Sequence, residues 1–322
     1  MAIKILEAGL AATIQDLGRP GYYQLGIPIG GAMDRFALRV ANLLVGNDES
    51  AACIESPYIG PRLLFDTDTL VSVTGADLPV CLDGKEHQTW TAIEVKAGQV
   101  LEFGYLKGGA RIYIAVSGGV DVPLVLGSRS TYLVGQLGGF HGRILVAEDV
   151  LHCGQGDLKS KCRYIPEELR RTMGEAANLR VMPGLFWHRL TKTSGEGFFE
   201  DRWVVSTEAD RMGVRFSGGR PMEFEPRDQP FGAGSDPSNI VDSPYPYGSV
   251  QIPSGLEPIV LHRDAVSAGG YFQIGAVISA DMDILGQLPP NTPVKFVKVS
   301  MEEALQARLD EEGRLERIRD LF

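Results

Sequence analysis

Short apolar segments closed by turn residues are the feature of this sequence that most limits its fold. Such segments occupy residues 3–6, 70–73, 100–103, 111–116 and 294–299. Apolar runs of about four to eight residues are typical of β-strands, whereas helices need longer periodic segments. Glycine contributes 39 and proline 19 of the 322 residues, which supplies many tight turns. The sequence therefore predicts a mainly β protein with few helices, built from barrel-like or sandwich-like modules.

One helix is predicted over residues 33–45, because apolar residues recur there at intervals of three or four. They are Met33, Phe36, Val40 and Leu43. Gly46 follows them and favours the left-handed conformation that commonly ends a helix.

Two further local signals predict a helix and a hairpin. Ser300 and Glu303 form an S-x-x-E capping box before a charged C-terminal tail, which predicts a surface helix there. Asp83 and Gly84 form the dipeptide that best supplies a type I′ turn, which predicts a β-hairpin.

The length of the chain predicts two domains, since 322 residues exceed the usual size of one. We place the charged segment 157–178 between an N-terminal module at 1–165 and a C-terminal module at 166–322. Short motifs recur in the same order in both halves, such as T-x-x-D at Thr13 and at Thr207. This order suggests internal duplication, with chance matches in turn-rich sequence as the alternative. Two like modules facing each other would form a cleft for a ligand.

Charge and cysteine content exclude several classes of function. With 31 basic and 41 acidic residues the net charge is −10, which disfavours a nucleic-acid or anionic-membrane surface. The four cysteines are far apart and lack zinc-ligand spacing, so we predict no metal site and no disulfide framework. No apolar run approaches the ~20 residues of a membrane helix, and we expect a cytosolic protein.

The stretch 13–47 combines many glycines with fixed polar groups and leads directly into the predicted helix. Such a loop permits close backbone approach, and a helix N-terminus favours an anion. For Asp34 the alternative is a plain helix cap. The candidate site residues here are Gln15, Asp16, Arg19, Gly30, Gly31, Asp34 and Asn42.

A second region of similar character covers 206–218 and 248–271. Its charged and amide groups could orient a carboxylate, an amide or a phosphate. The alternative is an Asp–Arg bridge with a glycine turn that closes a barrel. The candidate residues here are Arg211, Gln251, His262, Asp264, Gly269, Gly270 and Tyr271.

Common catalytic motifs are missing from the sequence. It contains no G-x-x-x-x-G-K-[ST] phosphate loop, no G-x-S-x-G elbow, no H-E-x-x-H helix and no G-x-G-x-x-G in a βαβ setting. The usual NTPase, serine hydrolase, zinc protease and dinucleotide mechanisms therefore have no support here.

One long motif and several shorter ones resemble those of a known family. The long motif is QDLGRPGYYQLGIPIGGAMDRFALRVANLLVGN, and the others are TGAD, YIAVSGGVDVP, GSRST, ADRMGVRFSG, GSVQIPSG, AGGY and ISADM. In this order they resemble the allophanate hydrolase subunit 2 family, also known as the KipA or urea-amidolyase-related family. The resemblance covers about residues 3–305.

The resemblance implies a pair of cyclophilin-like β-barrel modules and an enzyme that works as a complex. In one branch it implies ATP-dependent 5-oxoprolinase, with ATP and a divalent metal such as Mg²⁺, which opens the lactam of 5-oxoproline. The partners would be a KipI-like protein, itself a 5-oxoprolinase subunit, and a third subunit.

Two alternatives follow from the same resemblance. In a second branch the related region is the carboxyltransferase of a biotin-dependent urea carboxylase. Carboxybiotin would then arrive on a separate carrier chain, because no AMKM-like biotinylation segment is present here. In a third, the relative is a regulatory protein that antagonises a KipI-like kinase inhibitor.

Either enzyme would build negative charge on a carbonyl oxygen, and the sequence offers groups that suit this chemistry. We expect Arg19 and Arg211 to stabilise that charge and Asp16 or Asp264 to act as base or orienting carboxylate. Compared with the family pattern DAQTTGGYP, the chain has Val266 and Phe272, which suggests a different substrate.

Overall fold

The computed structural model describes residues 1–158, 160, 162–171 and 174–322. By its internal contacts the chain divides into two compact units. We call the first, Met1–Arg19, Gly30–Met173 and Glu312–Phe322, the sandwich unit. The second, Pro20–Ile29 and Gly174–Glu311, is the barrel unit. The division into modules at 165/166 and the internal duplication stay predictions, and two short segments group differently from that division.

The sandwich unit holds eleven strands in two antiparallel sheets. In chain order they are β1 (Ala2–Glu7), β2 (Thr13–Gln15), β3 (Cys53–Pro57), β4 (Arg62–Phe65), β5 (Thr69–Asp77), β6 (Val80–Leu82), β7 (Lys85–His87), β8 (Ala92–Val95), β9 (Val100–Phe103), β10 (Gly108–Val116) and β11 (Val150–His152). The sheet orders are β11-β1-β4-β9-β6-β7 and β2-β3-β10-β5-β8. One core joins both sheets, with Ile5 and Phe65 from the first and Ile54, Val73 and Ile114 from the second.

The predicted hairpin turn is confirmed between β6 and β7. Asp83 and Gly84 have φ of 48° and 76°, the left-handed values that a type I′ turn requires. The unit is a two-sheet sandwich, which differs in detail from the barrel that the resemblance implied for this half.

The predicted first helix is confirmed as α1, Arg35–Leu44. Gly46 follows it with φ of 75°. Its apolar face, which includes Phe36 and Val40, is buried against residues of β5 and β10 such as Leu70 and Tyr113. The helix thus covers the outer face of the five-stranded sheet.

The barrel unit contains the strands β12 to β20. In chain order they are β12 (Ala177–Pro183), β13 (Trp203–Ala209), β14 (Gly213–Ser217), β15 (Asn239–Pro244), β16 (Ser249–Gln251), β17 (Ile259–Leu261), β18 (Ala268–Tyr271), β19 (Gln273–Val277) and β20 (Pro293–Lys298). Seven of them close a barrel in the order β12-β19-β16-β17-β14-β13-β20, while β15 and β18 form a separate ribbon. Aromatic rings fill the barrel, where Phe198 stacks on Phe296 at 4.6 Å.

Few helices accompany these strands, which confirms the mainly β fold that the sequence predicts. They are α2 (Lys192–Glu200), α3 (Met282–Leu285), α4 (Met301–Arg319) and short 3₁₀ turns at Tyr23–Leu25, Glu167–Leu169, Trp187–Arg189 and Pro253–Gly255. The capping box of α4 is confirmed: the Ser300 N–H donates to Glu303 Oε2 at 2.7 Å, and the Glu303 N–H donates to Ser300 Oγ at 3.2 Å. Among the described residues, none of the helices is long and apolar enough to span a membrane.

Candidate functional site

A pocket of about 460 Å³ opens on the wall of the barrel unit, between β13, β14 and β17. One side of it is polar and includes Thr207, Asp210, Arg215 and Gln251. We call it the barrel pocket. Gln251 is the one candidate site residue from the sequence that lines it.

The opposite side of the barrel pocket is apolar and includes Ala209, Ile259, Leu261, Ala265 and Val266. A pocket with an apolar wall and a few fixed polar groups suits a small organic ligand with a polar end. Val266, one of the two departures from the family pattern, is half exposed here.

Phe272, the other departure, lies away from any surface. Its ring is fully buried and meets Phe224 edge-on at 5.1 Å. Phe272 therefore contributes to the barrel core, and Val266 alone of the two reaches the pocket.

Arg211 and Asp264 form a buried ion pair next to the barrel pocket. Arg211 Nε donates to Asp264 Oδ2 at 2.8 Å and Nη2 donates to Oδ1 at 3.2 Å. The Asp264 N–H also donates to the Arg211 carbonyl at 2.9 Å. The pair thus ties the β13–β14 turn to the loop that carries Val266, both of which line the pocket.

Tyr245 links several candidate residues on the barrel. Its hydroxyl donates to the Tyr271 carbonyl at 3.0 Å and accepts from the Tyr271 N–H at 2.7 Å. Burial raises the pKa of Tyr245, while hydrogen bonds from Tyr271 and Gln251 lower it. A Cβ on Gly269 would lie 2.9 Å from the Tyr245 ring, so glycine is needed for this packing.

The other second-region candidates are held by structural contacts. His262 Nε2 lies 2.9 Å from the Met282 carbonyl, and its Nδ1 accepts from the Arg263 N–H at 3.0 Å, which fixes a neutral ring. A Cβ on Gly270 would lie 3.2 Å from the Ile240 carbonyl oxygen. His262 and Gly270 do not line the barrel pocket.

In the sandwich unit, Asp16 is a buried carboxylate that accepts hydrogen bonds on both oxygens. Oδ1 accepts from the Gly18 N–H at 2.7 Å and from the hydroxyls of Ser128 and Ser130 at 2.7 Å and 2.5 Å. Oδ2 accepts from the Arg129 N–H at 2.6 Å. We call this set of contacts the Asp16 clamp.

Gln15 and Arg19 bind the same segment of chain. Gln15 Nε2 donates to Thr13 Oγ1 at 3.0 Å and to the Thr131 carbonyl at 3.2 Å. Arg19 Nη2 donates to the Ser130 carbonyl. The first-region candidates therefore fasten two loops together.

Gly30 and Gly31 allow the chain to pass close to this clamp. Both have positive φ, 64° and 86°. A Cβ on Gly31 would lie only 2.7 Å from the Gly18 nitrogen. The next residue, Ala32, donates its N–H to the Asp16 carbonyl at 2.9 Å.

Asp34 caps α1, as the alternative interpretation held. Its Oδ1 accepts from the Ala37 N–H at 2.9 Å, and Arg171 Nη1 lies 3.6 Å from the same oxygen. Its own N–H donates to the Tyr113 hydroxyl at 2.8 Å, which in turn donates to Glu55 Oε2 at 2.8 Å. Burial and then the Glu55 charge raise the pKa of Tyr113 well above its ordinary value.

Asn42 holds the turn that follows α1. Its side-chain nitrogen donates to the Ala51 carbonyl at 2.8 Å, and its oxygen accepts from the Asn47 side chain at 2.9 Å. It is fully buried, so its contacts suit a structural role.

The residues around the barrel pocket do not by themselves fit a metal-bound triphosphate. The arginines nearest to it bind carboxylates: Arg211 binds Asp264, and Arg215 lies 3.2 Å from both Glu208 and Glu257. In the described part of the chain there is no group of three or more His, Cys, Asp or Glu side chains that could hold a metal. A neutral or singly charged ligand suits these groups better.

Several residues of these networks escaped the sequence analysis. Ser128 and Ser130 belong to the GSRST motif, but the motif alone did not show that they bind Asp16. Tyr245 lies in the proline-rich segment SPYPYG, where nothing in the spacing marks a buried hydroxyl. Tyr23 stands in the first glycine-rich stretch and binds the distant Tyr245 backbone.

Comparisons with known proteins agree with the resemblance seen in the motifs. Residues 25–298 match the model of the family described as carboxyltransferase domain, subdomain A and B. The chain belongs to this family.

Stand-alone and fused relatives both occur. The chain is 38% identical to a 5-oxoprolinase subunit of Escherichia coli, the one designated C, over 98% of this chain and 97% of that protein. It is 33% identical to urea amidolyase of Saccharomyces cerevisiae, over 94% of this chain but 17% of that protein. The crystal structure of the K. lactis urea amidolyase superposes with a TM-score of 0.93 at 33% identity, covering all of this chain and 20% of that one. The expected relation to both kinds of protein is confirmed.

Proposed function

We propose that this chain is a subunit of an ATP-dependent 5-oxoprolinase and contributes the substrate-binding surface for the lactam. The observation that carries the proposal is the correspondence over 97% of the Escherichia coli 5-oxoprolinase subunit, at 38% identity. The urea amidolyases match over less than a fifth of their length, so their other activities need segments that have no counterpart in the matched region.

The barrel pocket suits a small cyclic amide. Its apolar wall, with Leu261 and Val266, would pack against ring methylenes, and the Gln251 amide would pair with a carbonyl and an N–H group. An amide that both donates and accepts can discriminate a lactam from an apolar ring, because the mismatched partner leaves buried polar groups unpaired.

Arg211 and Asp264 would act by fixing the pocket. Their ion pair joins two pocket-lining segments, and Asp264 is buried while Arg211 is largely so. Their roles in stabilising an oxyanion or taking a proton stay predictions, as do those of Arg19 and Asp16. Replacing Arg211 by alanine would leave Asp264 as a buried carboxylate without its charged partner, which is strongly unfavourable.

ATP and its metal would bind to another subunit. This assignment follows from the donor set around the barrel pocket, in which the arginines bind carboxylates. The proposed partners are a KipI-like protein, as a second 5-oxoprolinase subunit, and a third subunit that supplies the phosphate chemistry. The substrate is a small amide or lactam.

The decisive experiment combines the purified chain with the subunits encoded beside it. We expect ATP-dependent release of glutamate from 5-oxoproline, and a loss of about tenfold in kcat/KM with the Gln251→Ala variant, since a lost polar contact typically costs about 1 kcal/mol or more. The matched control is Asn291→Ala, an exposed amide outside the pocket. A complex that forms and binds ATP but produces no glutamate would contradict the proposal.

Carboxyl transfer is the second candidate, because the matching family model describes a carboxyltransferase domain. In this case the carboxyl group would come from carboxybiotin on a separate carrier chain, and the same pocket would hold a urea-like amide. A parallel assay with urea, bicarbonate, ATP and a biotinylated carrier would show product instead of the 5-oxoproline assay. Stable binding of a KipI-like protein with no product in either assay would favour the regulatory alternative.

A further inference from the structure

The segment Pro20–Ile29 is the part of the first glycine-rich stretch that groups with the barrel unit. It carries the 3₁₀ turn Tyr23–Leu25, which Gly26 ends with φ of 77°. Within it, Tyr23 reaches the wall of the barrel pocket by direct hydrogen bonds. No sequence pattern assigned this tyrosine a role.

The Tyr23 hydroxyl lies between two main-chain carbonyls on neighbouring loops. It is 2.8 Å from the Tyr245 oxygen and 3.2 Å from the Val266 oxygen. Val266 lines the pocket, and Tyr245 shares a hydrogen bond with Gln251 on the polar side of it. One hydroxyl thus contacts both loops whose side chains form opposite sides of the pocket.

Main-chain hydrogen bonds on either side of Val266 also hold its loop. The Tyr245 N–H donates to the Ser267 carbonyl at 2.8 Å, and the Asp264 N–H donates to the Arg211 carbonyl at 2.9 Å. Val266 itself is half exposed, so it has little packing to hold it. Removal of the Tyr23 hydroxyl would therefore loosen the apolar wall where it meets the ligand.

We propose that Tyr23 is a positioning residue of the barrel pocket, which holds the Val266 loop against Tyr245 so that the apolar wall and Gln251 face the same small amide. The inference rests on the proposed function of this pocket. Tyr23 would act on substrate binding rather than on chemistry, because its hydroxyl binds the backbone of the wall.

The test uses Tyr23→Phe in the reconstituted complex, with Tyr22→Phe as the matched control. The Tyr22 hydroxyl makes no hydrogen bond among the described residues. We expect KM for 5-oxoproline to rise about fivefold with Tyr23→Phe, the effect of one lost hydrogen bond, while kcat changes less than about twofold. Tyr22→Phe should leave both constants unchanged.

Hydrogen exchange of the isolated chain supplies a second measurement that does not depend on activity. Amides of residues 264–267 should exchange faster in Tyr23→Phe than in Tyr22→Phe. An unchanged KM in Tyr23→Phe, with KM raised in Gln251→Ala, would overturn the role of Tyr23 but leave the pocket in place. Unchanged KM in both variants would overturn the pocket assignment itself, and unchanged exchange at 264–267 would contradict the positioning contact.

Discussion

Two glycine-rich polar regions look alike in the sequence but differ in the structure. In the sandwich unit, Asp16 and its neighbours bind backbone and hydroxyl groups of the 128–131 segment and are buried. In the barrel unit, the second region lines a pocket of about 460 Å³, and Gln251 faces it. The same residue types therefore serve to close one loop system and to build an open pocket in the other.

The difference teaches how to tell a structural carboxylate from a candidate catalytic one. Asp16 accepts four hydrogen bonds from its own chain, which uses most of the acceptor capacity of a carboxylate. Asp264 binds one arginine beside the pocket. A group whose bonds are filled by backbone and serine donors has little capacity for a substrate.

Removing the charge of the Asp16 clamp should give the largest effect on stability. In Asp16→Asn, an amide nitrogen would face N–H and O–H donors in a buried site, so we expect a loss of about 3–5 kcal/mol in the free energy of unfolding. Urea denaturation measures it. The control is Asp77→Asn at the exposed end of β5, which should change stability by less than about 0.5 kcal/mol. Equal stability of the two variants would show that the clamp is not structural.

Gly31→Ala should destabilise the same region by a comparable but smaller amount. The added Cβ would meet the Gly18 nitrogen at 2.7 Å, and the backbone has φ of 86°. We expect a loss of about 2–3 kcal/mol from left-handed strain and overpacking. Gly84→Ala is the matched control, since φ is 76° there and no atom lies within 4 Å of an added Cβ. A loss no greater than that of Gly84→Ala would mean that close approach of the two loops is unimportant.

Tyr113→Phe should have a moderate effect that depends on pH. The raised pKa of Tyr113 keeps its hydroxyl protonated in the folded state above pH 10, whereas in the unfolded state it ionises near its ordinary value of 10.0. The stability that Tyr113 contributes is thus complete below pH 10 and falls as pH rises above it. We expect the variant to lose about 1–2 kcal/mol at pH 8, and the difference from the wild type to shrink above pH 10. Urea denaturation at both pH values measures this, and a constant difference would contradict it.

The fold was largely predictable because it depends on local signals. Strand lengths, the turn at Asp83, the end of α1 at Gly46 and the capping box of Ser300 each follow from a few neighbouring residues. The sequence could not distinguish a sandwich from a closed barrel in the first half, because strand pairing joins distant segments. For the same reason it did not reveal that residues 20–29 group with the second half of the chain.

The candidate site was predictable only in part. Gln251 does line the barrel pocket, and the Asp–Arg bridge considered as an alternative for the second region is present as Arg211–Asp264. The partners of Asp16 lie more than 100 residues away, so spacing gives no sign of them. Tyr23 and Tyr245, separated by 222 residues, were invisible for the same reason.

Cysteine chemistry offers no third region of interest. Burial raises the pKa of Cys153 to about 12 and that of Cys53 further still. Both thiols therefore stay protonated at neutral pH and are poor nucleophiles. This agrees with the expectation of reduced, buried cysteines.

The most direct test of the difference between the two regions measures stability and turnover on the same pair of variants, Asp16→Asn and Gln251→Ala, in the reconstituted complex. We predict that Gln251→Ala keeps its unfolding free energy within about 1 kcal/mol of the wild type and loses about tenfold in kcat/KM for 5-oxoproline. Asp16→Asn should lose stability but retain kcat/KM within about threefold when corrected for the folded fraction. Loss of turnover in fully folded Asp16→Asn, together with normal turnover in Gln251→Ala, would contradict the account and place the site at the Asp16 clamp.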